Sequence, residues 1–552
     1  MAKDKTKTQS NDKGENYEES PAEKRSKIIA KIEKKHKFIT IRETDELLYF
    51  NPHDGQWYEG DSYLREFVVE ETTIPIVGKK TTDKIDKIIG FSTSIFREIK
   101  AILQIKTYVN QKNFVAPIDW INLSNGALNV RTSEFIARDH EPDYTKEEEE
   151  IKDLREEMNS KLQKQWNDNK TSDQEYQKRT EEITKEYNAK IKQKKDEIKK
   201  KREEWINSEI EKFEKFCFIS SIPVSYDPKA TCPKIDRFFG ELEIGEEMTM
   251  TVFELFGYTL LKAYPIKSMF VFVGPHDTAK SSVANLLEKM LGTDNFSALS
   301  LDSIMEDKFE KHKLFGKLAN ISGELAPKFI NTTTLLKELM GSDSISVRMM
   351  HTQRNFTFIN HAKLIFLTNQ LPGTFDDDAF FSKVEILEFH KQFLAGEKNT
   401  KSEEELDTEL TSDQELSGLL NKSVSALKEL LKRGKFRNDR TVQEKKELYL
   451  IKSNPLKYYI ETALELNEEL NDTADPDRNT LRAYKRDLFE NYILFCKQHS
   501  VPELPDTLFY KKMREYMVKQ GKRDQRDNLH GGSYYVDVYI KKWFTDTKNT
   551  VS

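Results

Sequence analysis

Residues 268–292 constrain this chain more than any other segment. They read Ser268-Met-Phe-Val-Phe-Val273, then Gly274-Pro275-His276-Asp277-Thr278-Ala279-Lys280-Ser281, then Ser282-Val-Ala-Asn-Leu-Leu-Glu-Lys-Met-Leu-Gly292. A short apolar run, a glycine-led loop and an amphipathic stretch predict a buried strand, a tight turn and a helix. Backbone N–H groups at the helix start, together with the helix dipole, stabilise phosphate oxygens. Gly274 to Ser282 are therefore the expected nucleotide-binding residues. Lys280 would reach the β- and γ-phosphates, and the Ser281 hydroxyl would complete a Mg2+ shell. Ala279 stands where G-x-x-x-x-G-K-[ST] has its second glycine. Its Cβ resists positive φ, so loop geometry or affinity is expected to suffer. The plainer alternative is an ordinary strand, turn and helix carrying an incidental lysine.

Two further apolar runs bear on this site. Leu314-Phe-Gly-Lys-Leu-Ala-Asn-Ile321-Ser-Gly-Glu324 reads as a strand ending in an acid. At the carboxyl end of a neighbouring parallel strand, Glu324 could hold the metal's water shell or polarise attacking water. Ala362-Lys-Leu-Ile-Phe-Leu-Thr368 is a second buried strand, followed by Asn369-Gln-Leu-Pro372. An amide there can sense a γ-phosphate, or it can simply end the strand in an Asn–Pro turn. Between them, Ser344–Arg348 and Phe356–Ile359 read as a hairpin with a basic tip at Met350-His351-Thr-Gln-Arg354.

Taken in order, Gly274–Ser281, Gly316–Glu324, Gly341-Ser-Asp343 and Lys363–Pro372 resemble superfamily 3 helicases, closest to the poxvirus and phage/plasmid primase-helicase group. Asn125–Val130, Ile222–Pro233 and Phe238-Phe239 look like that group's domain ahead of the helicase core. The resemblance implies ATP and Mg2+ as cofactors, and a homo-oligomeric ring, usually a hexamer, with nucleotide between subunits. It also implies that Arg348, His351 and Arg354 line a channel on single-stranded or forked DNA. The family commonly places an arginine after the sensor strand to act on the neighbour's nucleotide. This chain has Lys383 near that position, which supplies charge without a planar fork, so either Lys383 substitutes less effectively or an arginine such as Arg348 serves. Glu324 would activate water, with Lys280 and Asn369 completing the catalytic set.

The expected architecture is multidomain α/β. A P-loop NTPase core with a parallel sheet (216–400) follows a small α+β domain (38–144), which is separated from it by a charged helical hairpin (145–215). Residues 1–37 read as a disordered charged tail, because Lys, Glu, Ser and Asn without large apolar partners do not offset ordering entropy. In 145–215, Ile151, Leu154, Met158, Leu162 and Trp166 form one stripe, and Tyr176 to Trp205 a second. Ser172 and Glu175 supply a capping box. The hairpin is either a solvated insertion or an arm for a protein partner. A helical linker (401–474) leads to a winged-helix-like domain (475–552). There a basic loop carries Lys522, Arg523 and Arg526 toward DNA phosphates, unless the module docks protein instead. Only the short stretch before Phe38 precedes these parts, so no catalytic primase fold is expected.

Of 552 residues 33% are charged, yet 88 basic against 94 acidic leave a net −6, which excludes a globally cationic coat protein. Cys217, Cys232 and Cys496 make neither a disulfide framework nor a Cys-x-x-Cys zinc pair. With no apolar run long enough for a membrane and no signal peptide, a soluble cytoplasmic protein is expected. The leading reading is an ATP-dependent DNA helicase serving replication of a plasmid, virus or integrated element. Its rivals are a nucleotide-gated DNA-binding scaffold with little hydrolysis and a P-loop kinase, the latter disfavoured by the basic hairpin.

Overall fold

The computed structural model describes residues 20–72, 93–167, 173–307, 310–323, 325, 330, 333–341, 343–348, 355–374, 377–393, 402–466, 482–522, 524–527, 532–536, 538–541 and 544. The chain divides into two compact units, Met1–Ala116 with Arg138–Ile219, and Pro117–Ala137 with Ser220–Ser552.

The first unit opens with α1 (Pro21–Lys35), within the stretch expected to be a disordered tail. Two local features account for the difference. Ser20 and Glu23 form a reciprocal capping box, and Pro21 supplies a preset first turn. Ile29 and Ile32, one helical turn apart, are buried with Phe38, Leu47, Leu64, Val68, Ile99 and Leu103. Strands β1 (Lys37–Ile41), β2 (Glu46–Asn51), β3 (Gln56–Glu59) and β4 (Tyr108–Val109) form a sheet in the order β3-β2-β1-β4. Helices α2 (Gly60–Thr72) and α3 (Thr93–Thr107) complete this core.

Helices α4 (Thr145–Asn167) and α5 (Asp173–Phe213) run antiparallel. Glu147 pairs with Lys201 and Glu150 with Lys194, while Ile151, Tyr187 and Ile191 are buried between them. At 41 residues α5 is about 60 Å long. Ser172 of the expected capping box lies outside the described residues.

The second unit begins with β5 (Trp120–Leu123), β6 (Gly126–Asn129) and β7 (Phe135–Ala137). This corrects the expected 38–144 domain. Ile121, Leu123, Leu128 and Val130 share a core with Ile222 and Val224. Backbone bonds from Ile222 N–H to Asn122 O (2.9 Å) and from Ser124 N–H to Val224 O (3.2 Å) hold the two segments together.

Helices α6 (Pro233–Glu241) and α7 (Glu246–Thr259) lead into β8 (Met269–Val273), α8 (Lys280–Leu291), β9 (Phe296–Ser297), α9 (Leu301–Glu306), β10 (Ala319–Ser322) and α10 (Thr334–Leu339). The hairpin β11 (Ser344–Arg348) and β12 (Asn355–Ile359) precedes β13 (Lys363–Thr368), α11 (Asp378–Phe381) and β14 (Val384–Glu388). The central sheet has the order β14-β8-β13-β10-β9, and every pairing in it is parallel. All residues of β8 and β13 are buried, as a parallel sheet covered on both faces requires. Lys363 begins β13 wholly buried, its Nζ donating to His361 O (2.7 Å) and Leu261 O (2.5 Å) and lying over the Tyr258 and Tyr264 rings.

Helices α12 (Glu403–Leu410) and α13 (Asp413–Arg433) follow, in a stretch expected to be a linker. Instead α13 is a core element: Leu419, Leu420, Leu427 and Leu430 are buried, and its backbone approaches α7 at Gly257. A Cβ on Gly257 would stand 2.1 Å from Ser423 O. Helices α14 (Val442–Ser453) and α15 (Pro455–Ala463) then lead through β15 (Leu464–Leu466) and β16 (Arg482–Tyr484) to α16 (Lys485–Gln498) and α17 (Asp506–Lys519). The terminal strands are β17 (Asp524–Asp527), β18 (Gly532–Val536) and β19 (Val538–Ile540). Tyr459, Leu488, Phe495, Phe509, Met513 and Tyr535 belong to a separate small core here. Residues 521–532 were expected to be a loop. Instead 524–527 pair antiparallel with β18, and Asp524 binds Lys485 at 2.6 Å. None of the described helices is long and apolar enough to cross a membrane.

The contact at Gly257 yields a direct test. Gly257→Ala gains helix propensity but forces a backbone clash, so the unfolding free energy should fall by about 1–3 kcal/mol. Urea denaturation of the full chain measures it, and unchanged stability would contradict the close α7–α13 approach.

Candidate nucleotide site

Parallel pairing sets the site's position. Val273, the last residue of β8, lies in register between Thr368 of β13 and Glu388 of β14. The loop Gly274–Ala279 therefore emerges at the carboxyl ends of three buried strands, where open α/β sheets bind ligands. It is braced from β14's side. Phe389 N–H donates to Val273 O (2.8 Å), Gln392 Nε2 to His276 O (3.1 Å), and Phe393 N–H to Asp277 O (2.8 Å). Gly274 is required sterically, since a Cβ would stand 2.0 Å from Phe389 O.

The loop turns through left-handed backbone at Asp277 (φ 59°) and at Ala279 (φ 61°, ψ 15°). The position where glycine was missed in the sequence thus has the conformation glycine favours, with alanine carrying the strain. Ala279 is also the N-cap of α8, and no side chain caps that helix start. The first-turn amides of α8 are left for an anion.

Lys280 is only 8% exposed. Its Nζ donates to Gly274 O (2.8 Å), Pro275 O (2.5 Å) and Thr278 Oγ1 (3.1 Å), so the ammonium sits inside the curve of the loop. Burial holds its pKa below that of an ordinary lysine, and Asp277 pulls the other way. Ser281, beside it, is exposed. Asn369 follows β13 directly, with Nδ2 3.2 Å from His276 Nε2 and 3.4 Å from His276 Nδ1. The structure thus brings Asn369 to the loop that holds Lys280.

Other sequence-predicted residues lie elsewhere. Glu324, His351, Arg354 and Arg523 fall outside the described residues, and so does the Arg348 side chain. The Arg348 backbone ends β11 opposite Asn355. Lys383 precedes β14, and its carbonyl accepts from Met269 N–H (2.8 Å), which puts it at the amino edge of the sheet, opposite the loop. Its pKa is lowered by burial first and by Lys267 and Lys337 second. Arg526 is exposed on β17, and Lys522 is half-buried after α17.

Sequence reasoning missed the brace at 389–393 and the support of the Asn369 turn from α14. Leu371 N–H donates to Lys452 O (3.3 Å), Gln370 Nε2 to Ser453 O (3.0 Å), and Tyr449 OH to Pro372 O (2.9 Å). Each spans dozens of residues, and no local pattern announces it.

Among the described residues no group of three or more His, Cys, Asp or Glu converges to hold a metal. The donor chemistry fits a magnesium ion carried by a nucleotide, which needs few protein ligands beyond phosphate oxygens. The exposed Ser281 hydroxyl, at an uncapped helix start, is the side chain placed to hold such an ion were a nucleotide bound there.

Residues 272–382 match the model of a family described as of unknown function (DUF5906). No curated protein matches the chain. Among solved structures, the chain is similar to the A-form apo NrS-1 C-terminal region at 14% identity, over 59% of this chain and 81% of that one, with a TM-score of 0.30. It is also similar to the inhibitor-bound JCV helicase at 14% identity, over 49% of this chain and 84% of that one, with a TM-score of 0.22.

The strain at residue 279 is measurable. Left-handed alanine costs about 1–2 kcal/mol, against about 0.4–1 kcal/mol for the greater freedom of unfolded glycine. Ala279→Gly should therefore stabilise the fold by roughly 0.5 kcal/mol in chemical denaturation. A loss of stability would contradict the left-handed assignment.

Proposed function

We propose that this chain is an ATP-dependent DNA helicase that works as a homo-oligomeric, hexameric motor in replication of a plasmid, virus or integrated element. One observation carries the reading. A buried lysine inside the Gly274–Ala279 loop and the amide of Asn369, just after the adjacent strand, lie at the same carboxyl edge of a parallel sheet.

In this reading Lys280 exchanges its loop carbonyl partners for β- and γ-phosphate oxygens, a charge-assisted bond stronger than the neutral ones it leaves. The open amides of α8 hold the nearer phosphates. Magnesium, bound through Ser281 with Glu324 in its water shell, would neutralise phosphate charge. Glu324 orients the attacking water and Asn369 holds the terminal phosphate, so catalysis is positioning plus charge stabilisation. Lys383, on the opposite sheet edge from its own chain's loop, is suited to act only on a neighbouring copy's nucleotide. Arg348, His351 and Arg354 grip single-stranded or forked DNA by its phosphates. Lys522, Arg523 and Arg526 add phosphate contacts from the C-terminal module, and the α4–α5 arm is available to a protein partner.

The left-handed Ala279 favours a second reading, a nucleotide-gated DNA-binding scaffold with little hydrolysis. Steady-state ATPase with and without single-stranded DNA decides between them. The motor should hydrolyse ATP and respond to DNA, and Lys280→Ala should lower turnover by at least about 100-fold with the fold intact. Turnover unchanged in Lys280→Ala would remove the assigned site, while nucleotide-dependent DNA binding without turnover would establish the scaffold.

A further inference from the structure

The loop has a second neighbour at its leading end. Gly274, Pro275 and Asn369 form one wall of a cavity of ≈ 150 Å³, and the C-terminal module forms another through Tyr492, Glu503 and Lys512. Lys452 also lines it but is committed, with Nζ 2.9 Å from Glu388 Oε2 and donating to His499 O at 2.7 Å. Lys512, on α17, is exposed and makes no ion pair among the described residues.

The direction of a bound polyphosphate follows from groups already placed. The amides at the start of α8 take its inner phosphates, and Lys280 Nζ sits against the carbonyls of Gly274 and Pro275. A phosphate chain running from the helix start past Lys280 points its outer end toward Gly274, Pro275 and Asn369, which is the wall of this cavity. On that path the third phosphate of a triphosphate extends further toward the cavity than the second phosphate of a diphosphate. Glu503 on the facing wall repels an entering phosphate, so the cavity discriminates only if a nearby cation outweighs that carboxylate.

We propose that Lys512 is a specificity-determining residue, which pairs with the terminal phosphate of a nucleoside triphosphate and sets the preference for tri- over diphosphate. This rests on the assignment of Gly274–Lys280 to nucleotide. It makes the C-terminal module part of the nucleotide site, because α17 carries Lys512 to the cavity that the loop also lines.

Equilibrium titration of the full chain with fluorescent ATP and ADP analogues, in magnesium and without DNA, tests the pairing. Lys512→Ala should weaken ATP binding about tenfold and leave ADP binding within about twofold, and Lys512→Arg should recover most of the loss. Equal effects on the two nucleotides, or no effect on either, would overturn the role of Lys512. Lys280→Ala in the same titration separates the underlying assignment: it should weaken both nucleotides strongly, and unaltered binding of both would show that the loop is not the site.

Discussion

Strand β8 is buried over its whole length between β13 and β14, and most of what bears on chemistry depends on that placement. Parallel pairing fixes register without hairpin turns, so Val273, Thr368 and Glu388 end level with one another. The chain after each must leave at the same edge. One exit is the loop around Lys280, the next carries Asn369, and the third is the segment that clamps the loop. The helix dipole of α8, the ammonium of Lys280 and the Asn369 amide converge because β8 and β13 are buried throughout and β14 pairs in register beside them.

The loop is costly for a resting protein to hold. It contains two left-handed non-glycine residues and a lysine drawn away from water, whose pKa burial lowers. Such local strain persists only where surrounding structure over-determines it. Here the clamp from Phe389 to Phe393 and the steric limit at Gly274 do so. The Asn369 turn is held in its own way by α14, whose Lys452 also binds the end of α16. Glu388, level with the last residue of β8, is the shared counter-ion of Lys452 and Arg440. Buried Lys452, paired with Glu388 and donating to His499 O, thus links the sheet edge to the C-terminal module.

Much of the core was legible in the sequence, and the reasons are physical. An unbroken apolar run such as 269–273, closed by Gly274 and followed by helical periodicity, has few alternatives to a strand, a turn and a helix. The same holds for 363–368, where apolar density marks burial on both faces. Elements whose signal is weak or distant were not legible. Helix α1 has an unremarkable composition, and only its capping box and two isoleucines distinguish it from a tail. Residues 122–130 read as a turn and a strand, yet which core receives Ile121 and Leu128 depends on Ile222, about a hundred residues away in the chain. The 401–474 stretch begins polar, which hid the buried stripe of α13. At the site, the loop and Asn369 follow from local pattern, whereas the edge of the sheet occupied by Lys383 depends on strand direction and pairing. Lys512 and the clamp at 389–393 enter only through tertiary contacts.

The central claim is that Gly274–Lys280 grips a triphosphate. A structure of the full chain determined with magnesium and a nonhydrolysable ATP analogue tests it most directly. The account predicts density for the phosphates across the start of α8, with Lys280 turned from the carbonyls of Gly274 and Pro275 onto their oxygens. A structure in which the analogue binds elsewhere, or in which Lys280 keeps its carbonyl partners at saturating analogue, would contradict it.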